Sequence, residues 1–293
     1  MHIIILGAAA GGGLPQWNCG CPNCDAARAG RIPSLTQSSV AVSADGKDWA
    51  VLNASPDIRV QMAATPALHP TGPRDVPLRS VLVTNGDIDH VAGLLTLREA
   101  QGYDLYATPA IHAALVANPM MAALRPDLVI RRDIVLDDSI QLAPGLQATL
   151  FAVPGKVPLY QEGELVETGL IGETTVGVEL RANGRRALYI PGCAEMPDWL
   201  RARIEGADAL LFDGTLWQDD EMIRMGLGQK TGRRMGHMAA RDTIEALAGV
   251  ALGQRIFVHM NNSNPLTDPA SPESAIARAE GWQIARDGME ITP

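Results

Sequence analysis

Short apolar runs recur along the chain with turn-forming residues between them. Runs of strand character, rich in β-branched and aromatic residues, stand at 3–6, 38–43, 50–52, 80–84, 148–153, 174–180, 186–190, 209–212 and 255–258. Helical periodicity predicts helices at 91–101, 109–123, 196–205, 238–250 and 272–280. The polar stretch SADGKD (43–48) between two of the strands is a hairpin signal. The Pro-rich stretch 65–77 reads as a loop. Hairpins combined with strand–helix alternation predict an α/β chain with mixed sheets rather than a purely doubly wound one. Neither an internal repeat nor a low-complexity linker interrupts the pattern, so one domain is expected over 1–293.

Composition narrows the function classes. With 46% hydrophobic residues, a chain of 293 can bury a large core. A net charge of −9 without a basic stripe argues against a nucleic-acid partner. No segment approaches the roughly 20 apolar residues of a membrane span. The chain opens directly on a strand-like HIIILG, without a charged start and cleavage site, so the cytoplasm is the expected compartment. Four cysteines in that setting suggest metal ligands or free thiols rather than disulfides.

Two stretches carry chemistry. The first, LGAAAGGGLPQWNCGCPNC (6–24), follows the first strand. A dinucleotide site would need a helix straight after the glycines; Pro15 and the cysteines stand there instead. Cys19, Cys21 and Cys24, spaced C-x-C-x2-C, can converge on one structural Zn²⁺. This predicts a zinc loop at about 15–30. Its fourth ligand is open: Cys193 is remote, and a histidine such as His259 or another group would have to complete the shell. The second stretch, VTNGDIDHVAGL (83–94), places two Asp and a His at the end of a strand. Asp near a helix start is a favourable cap. A cap needs one acceptor, however, and three polar groups at a buried strand end need partners or a cation.

From Thr84 to Leu94 this stretch resembles the T-H-x-H-x-D-H-x-x-G-L motif of the metallo-β-lactamase superfamily, with Asn85 and Asp87 in place of the two leading His. VLNASPD (51–57), YIPGCAE (189–195), GHM (236–238) and FVHMNNSNP (257–265) fit the landmarks of the same fold. Together with the cysteine stretch, they resemble the B family of pyrroloquinoline quinone (PQQ) biosynthesis. The resemblance implies a four-layer αββα sandwich and a role in making PQQ. It further implies an Fe(II)- and O₂-dependent hydroxylase acting on the Tyr ring of a cross-linked Glu–Tyr precursor, beside other proteins of the pathway. A carrier of PQQ or its precursor, and a hydrolase of the same fold, are the alternatives.

The departures from the superfamily pattern bear on the metal count. Asn85, Lys156 and the Gly192–Cys193 segment stand where ligands of a second metal would be. Asp89, His90 and His259 remain, which is the ligand set of a mononuclear non-haem Fe(II) site. His237 corresponds to the superfamily's acid/base His and is expected to open a helix. Asp87 is expected to orient a ligand or to be one. Lys156, with Arg233 or Arg234, is a candidate to hold substrate carboxylates. Gln16, Trp17 and Asn85 are candidate substrate contacts, with Trp17 stacking on an aromatic ring or lying in the core. Asp213 is a further one, or orients His259 or Lys156. His2, His69 and His112 read as ordinary.

Overall fold

Ile3 and Ile5 point to one side of the first strand and Ile4 and Leu6 to the other. All four are buried, so the strand needs cover on both faces. The computed structural model describes residues 1–162 and 168–293 and supplies that cover. Its strands are β1 (His2–Gly7), β2 (Ser39–Ser43), β3 (Trp49–Leu52), β4 (Leu78–Leu82), β5 (Tyr103–Ala107), β6 (Val129–Asp133), β7 (Ser139–Ala143), β8 (Leu146–Ala152), β9 (Val176–Ala182), β10 (Arg185–Ile190), β11 (Ala209–Asp213), β12 (Gln254–Val258), β13 (Trp282–Ile284) and β14 (Met289–Ile291).

They form two seven-stranded sheets, ordered β14-β1-β2-β3-β4-β5-β6 and β13-β12-β11-β10-β9-β8-β7. In each sheet one half is antiparallel and the other parallel, with the changes at β3–β4 and β10–β11. The expected hairpin at 43–48 joins β2 to β3. Ile3, Ile5, Val40 and Leu52 meet Leu150, Val178 and Leu180 between the sheets. Ile4, Leu6, Val51 and Leu105 face outward against Ile58, Leu94, Ile111 and Leu115 of the covering helical segments. Helices Asp198–Ile204, Ala240–Ala246 and Pro272–Ala279 bury Leu200, Ala240 and Ala277. The expected α/β sandwich is therefore the observed one.

Sequence periodicity misses β5–β7, β13 and β14. β6 carries three consecutive charges on exposed positions, as edge strands do, and β13 and β14 have three residues each. Neighbouring strands, not local propensity, hold them extended. The helix expected over 91–101 is a short helix, Ile88–Val91, running into a 3-10 segment, Ala92–Arg98. The helix expected at 238–250 is Ala240–Ala246. Among the described residues, no helix is long and apolar enough to cross a membrane.

Candidate metal centre

The ends of β1, β4, β11 and β12 meet at one edge of the sandwich. Met260 N donates to Ala8 O, and Ala10 N to Met260 O, which ties the glycine-rich stretch after β1 to the residues after β12. Past β4, Thr84 is held by Asn53, whose Oδ1 accepts from Thr84 N at 2.9 Å. Ala54 N then donates to His90 O, and Gly93 N to Ala54 O. A Cβ on Gly93 would lie 2.1 Å from Ser55 O, so only glycine lets these two segments lock together. Asp87 takes the N-cap position, but its side chain makes no capping bond. Capping therefore does not account for this cluster.

Asp89, His90 and His259 converge. His259 Nε2 lies 3.0 Å from Asp89 Oδ2, and His90 Nε2 lies 3.8 Å from the same oxygen. The two rings meet edge to face with centroids 5.2 Å apart. His90 donates its Nδ1–H to Asn85 Oδ1 at 2.7 Å, which leaves Nε2 as the lone-pair nitrogen. That atom is buried and has no hydrogen-bond partner among the described residues. Such an orphan costs about 1–3 kcal/mol, and a cation on the lone pair removes the deficit. Burial holds His90 below its ordinary pKa, in the neutral form a ligand needs. Burial alone would raise the Asp89 pKa, but His90 and His259 outweigh it and hold the carboxyl well below its usual range. His259 lies in left-handed backbone at φ 58°, a conformation that non-glycine residues keep when the surroundings enforce it.

Those surroundings centre on Thr215. Its hydroxyl donates to Asp213 Oδ1 at 2.7 Å and lies 2.8 Å from His259 Nδ1. It accepts the His259 Nδ1–H and so leaves Nε2 facing Asp89, free to ligate a metal there. Asp213, His237 and His259 form a second close cluster. Its facing atoms are already bonded: His237 donates Nδ1–H to Asp213 Oδ2 at 2.7 Å, and Thr215 closes the rest. The orphaned His90 Nε2 favours the Asp89–His90–His259 face as the metal position. Replacing Thr215 by Val, of the same shape, is expected to weaken metal binding there about 10- to 100-fold. Metal titration of the folded variant checks this; unchanged affinity would show that Thr215 does not set the His259 tautomer.

Several expected roles change. His237 does not open a helix: it follows Gly236, the left-handed C-cap of helix Gly232–Met235, and precedes Ala240. The ring is thereby freed to reach Asp213. Asp213 is fully buried and accepts from Cys193 N, Thr215 N and His237; it bonds His237 directly and reaches His259 through Thr215, and Lys156 pairs elsewhere. Asn85 orients His90 and donates to Asp87 Oδ2 at 3.1 Å. Lys156 pairs with Glu162 at 2.8 Å. Gln16 lines a different cavity, beside the cysteines. Trp17 is 87% exposed; it is neither a core residue nor part of the wall of the metal cavity, because its loop is pinned with the ring outward. Arg28 does the pinning, donating to Cys19 O and Gln16 O at 2.7 Å.

The three thiols Cys19, Cys21 and Cys24 converge as expected. Cys193 is buried elsewhere, its thiol donating to Glu195 O. The Asn262 amide nitrogen stands 3.2, 3.5 and 3.4 Å from the Sγ atoms of Cys19, Cys21 and Cys24. In a tetrahedral zinc site with one oxygen ligand, that oxygen lies about 3.5 Å from each sulfur. Amide oxygen and nitrogen exchange places by a half-turn, so Asn262 Oδ1 fits the fourth vertex. His259 does not reach it, being committed to Asp89. Thr215 and Asn262 escaped the sequence reading. The H-M-N-N run that places Asn262 three residues after His259 was the available signal.

Residues 48–260 match the beta-lactamase superfamily domain. The chain is 58% identical to the coenzyme PQQ synthesis protein B of Ruegeria pomeroyi, over 99% of each chain. The 1.98 Å crystal structure of Zn²⁺-bound PqqB from Methylobacterium extorquens superposes with a TM-score of 0.98 at 52% identity, covering all of both chains. A diphosphatase of the PhnP family shares the fold, with a TM-score of 0.70 at 18% identity over 99% of this chain and 96% of that one.

Proposed function

The chain belongs to the coenzyme PQQ synthesis protein B family of the beta-lactamase superfamily and acts in PQQ biosynthesis; we propose that its step is the Fe(II)- and O₂-dependent hydroxylation of the Tyr ring of a cross-linked Glu–Tyr precursor. The observation that carries this reading is the donor set: one carboxylate and two imidazoles, with the His90 Nε2 lone pair left over in a buried site. Two His and one carboxylate with open positions suit non-haem Fe(II). The three residues standing where a second metal would be held are otherwise engaged. Asn85 bonds His90, Lys156 pairs with Glu162, and the Cys193 thiol donates to Glu195 O. A two-metal hydrolytic clamp therefore lacks its second ligand set.

Iron bound there would supply the redox chemistry with O₂ that zinc cannot. The chain's own residues do the rest. Asp89 contributes the negative charge, and Asn85 and Thr215 fix which nitrogen each ligand His presents. His237, with Nδ1–H held by Asp213, offers Nε2 to receive a proton from the ring. The cavity beside them, about 330 Å³, sets Ala10, Met222 and Met235 among polar residues and is of a size to take the precursor's ring. The proposed setting is the cytoplasm, alongside other proteins of the pathway.

The test is anaerobic Fe(II) reconstitution followed by O₂ uptake with the precursor and a reductant. One oxygen atom enters the ring and the other leaves as water, with two electrons from the reductant. Turnover is expected with iron and absent with zinc. His237→Ala is expected to keep the iron and to slow turnover about 10²- to 10⁴-fold. A wild type that takes up no O₂ but binds finished PQQ tightly would make the carrier reading the right one.

A further inference from the structure

The cavity beside the metal centre has a second polar feature that the proposed chemistry does not use. Glu162 and Lys156 line it together with Lys230. The Glu162 carboxylate lies 2.8 Å from Lys156 Nζ, 3.5 Å from Lys230 Nζ and 3.5 Å from Arg234 Nη1. The Glu162 side chain is only 8% exposed and that of Lys156 11%. Three cations thus converge on one carboxylate; Lys156 and Lys230 stand with it in the wall of a ligand-sized space, and Arg234 reaches it from outside that lining. Arg234 Nη1 is buried and lacks a hydrogen-bond partner among the described residues, so the cluster still has a donor to spare. A structural ion pair needs one cation per carboxylate; the buried Lys156 needs such an anion, while Lys230 and Arg234, with side chains 43% and 37% exposed, add two cations that keep part of their surface in water.

We infer that Lys156, Lys230 and Arg234 form a recognition site for a carboxylate of the substrate, and that Glu162 is an internal stand-in which the incoming carboxylate displaces. The inference rests on the proposed hydroxylase reading, since an amino-acid-derived precursor carries carboxylates. Exchanging one carboxylate for another on the same donors costs little electrostatically. Lysine supplies a point charge and arginine a fork that matches a carboxylate. A ligand that also contacts the metal face gains the remaining affinity. Glu162, tethered beside its donors, competes with any ligand by occupying the site, and the apparent affinity falls by the occupied fraction.

The discriminating experiment titrates full-length wild type, Glu162→Gln and Lys230→Met with PQQ, a tricarboxylate, under argon, following tryptophan fluorescence. Both substitutions break the same Lys230–Glu162 ion pair. Long-range charge alone would also move the affinity of this trianion in opposite directions, so the titration is run at about 1 M salt, where the Debye length is about 3 Å and only groups in contact with the ligand are felt. The inference requires opposite directions: Glu162→Gln binds about tenfold tighter, as expected if the stand-in fills the site nine-tenths of the time, and Lys230→Met binds more weakly. Shifts of the same sign, no shift, or no binding by any of the three at about 1 mM would overturn it. Because no O₂ is present, this failure is separate from a failure of the hydroxylase reading, which shows only as missing O₂ uptake by the iron-loaded protein.

Discussion

A His90→Ala protein is expected to retain no active-site iron and to show background O₂ uptake, while keeping its cysteine-bound zinc. His90 offers a buried lone pair with no hydrogen-bond partner among the described residues, and its ring is fixed by Asn85 at 2.7 Å. Removing it deletes one of three ligands, so the loss exceeds the 10- to 100-fold typical of an outer hydrogen-bond partner. Iron content and O₂ uptake measured on the same sample check the result. Iron retained at wild-type stoichiometry with wild-type turnover would show the site assignment to be wrong. The wild-type site carries a pH dependence of known sign. Burial lowers the His259 pKa, but Asp89 beside it outweighs burial and raises it above the ordinary value. Metal therefore competes with a proton for this ring, and affinity falls as the pH is lowered through that raised value. Affinity that rises on acidification would contradict this arrangement.

The second large effect belongs to the cysteine loop. A Cys21→Ser/Cys24→Ser double variant is expected to lose its zinc and to melt about 6–8 °C lower. A ligand present at a thousand times its Kd stabilises by about 4 kcal/mol, and in a chain of this size each kcal/mol moves Tm by about 1.5–2 °C. The loop has much to lose, since Asn262 at its centre reaches it from 238 to 243 residues along the chain. Metal analysis with calorimetry on both proteins decides the matter. Full zinc content in the double variant would remove the cysteines from the site. Asn262→Ala should hold zinc more weakly than wild type but more tightly than the double variant, because three thiolates remain.

How much of this was legible beforehand follows from the range of the forces involved. The apolar pattern is a property of neighbours in sequence, and it placed strands β1–β4 and β8–β12 within a few residues. The Cys19–Cys24 spacing and the Asp89–His90 pair are also local, so both could be read from the chain as groups able to hold a cation. The five missed strands are short or polar and owe their extension to pairing with a neighbour. His237 was misread for a related reason. Its hydrogen bond to Asp213 is made across 24 residues, and only the left-handed turn at Gly236 shows that the ring leaves the helix.

By itself, then, the sequence determined the strand-rich α/β character, the two metal-binding motifs and the substitution of ligands that a second metal would need. Tertiary structure decided which groups complete each site. Asp89 and His259 meet from 170 residues apart, Asn262 arrives at the thiols from the far side of the chain, and Thr215 fixes the His259 tautomer across 44 residues. Glu162 and its three cations likewise become a cluster only when the segment after β8 packs on the 230–234 turn. Hydrophobic patterning acts along the chain and is visible in it. The partners of a buried polar atom are set by whichever strand ends the two sheets bring together, and that is fixed only when both sheets have formed.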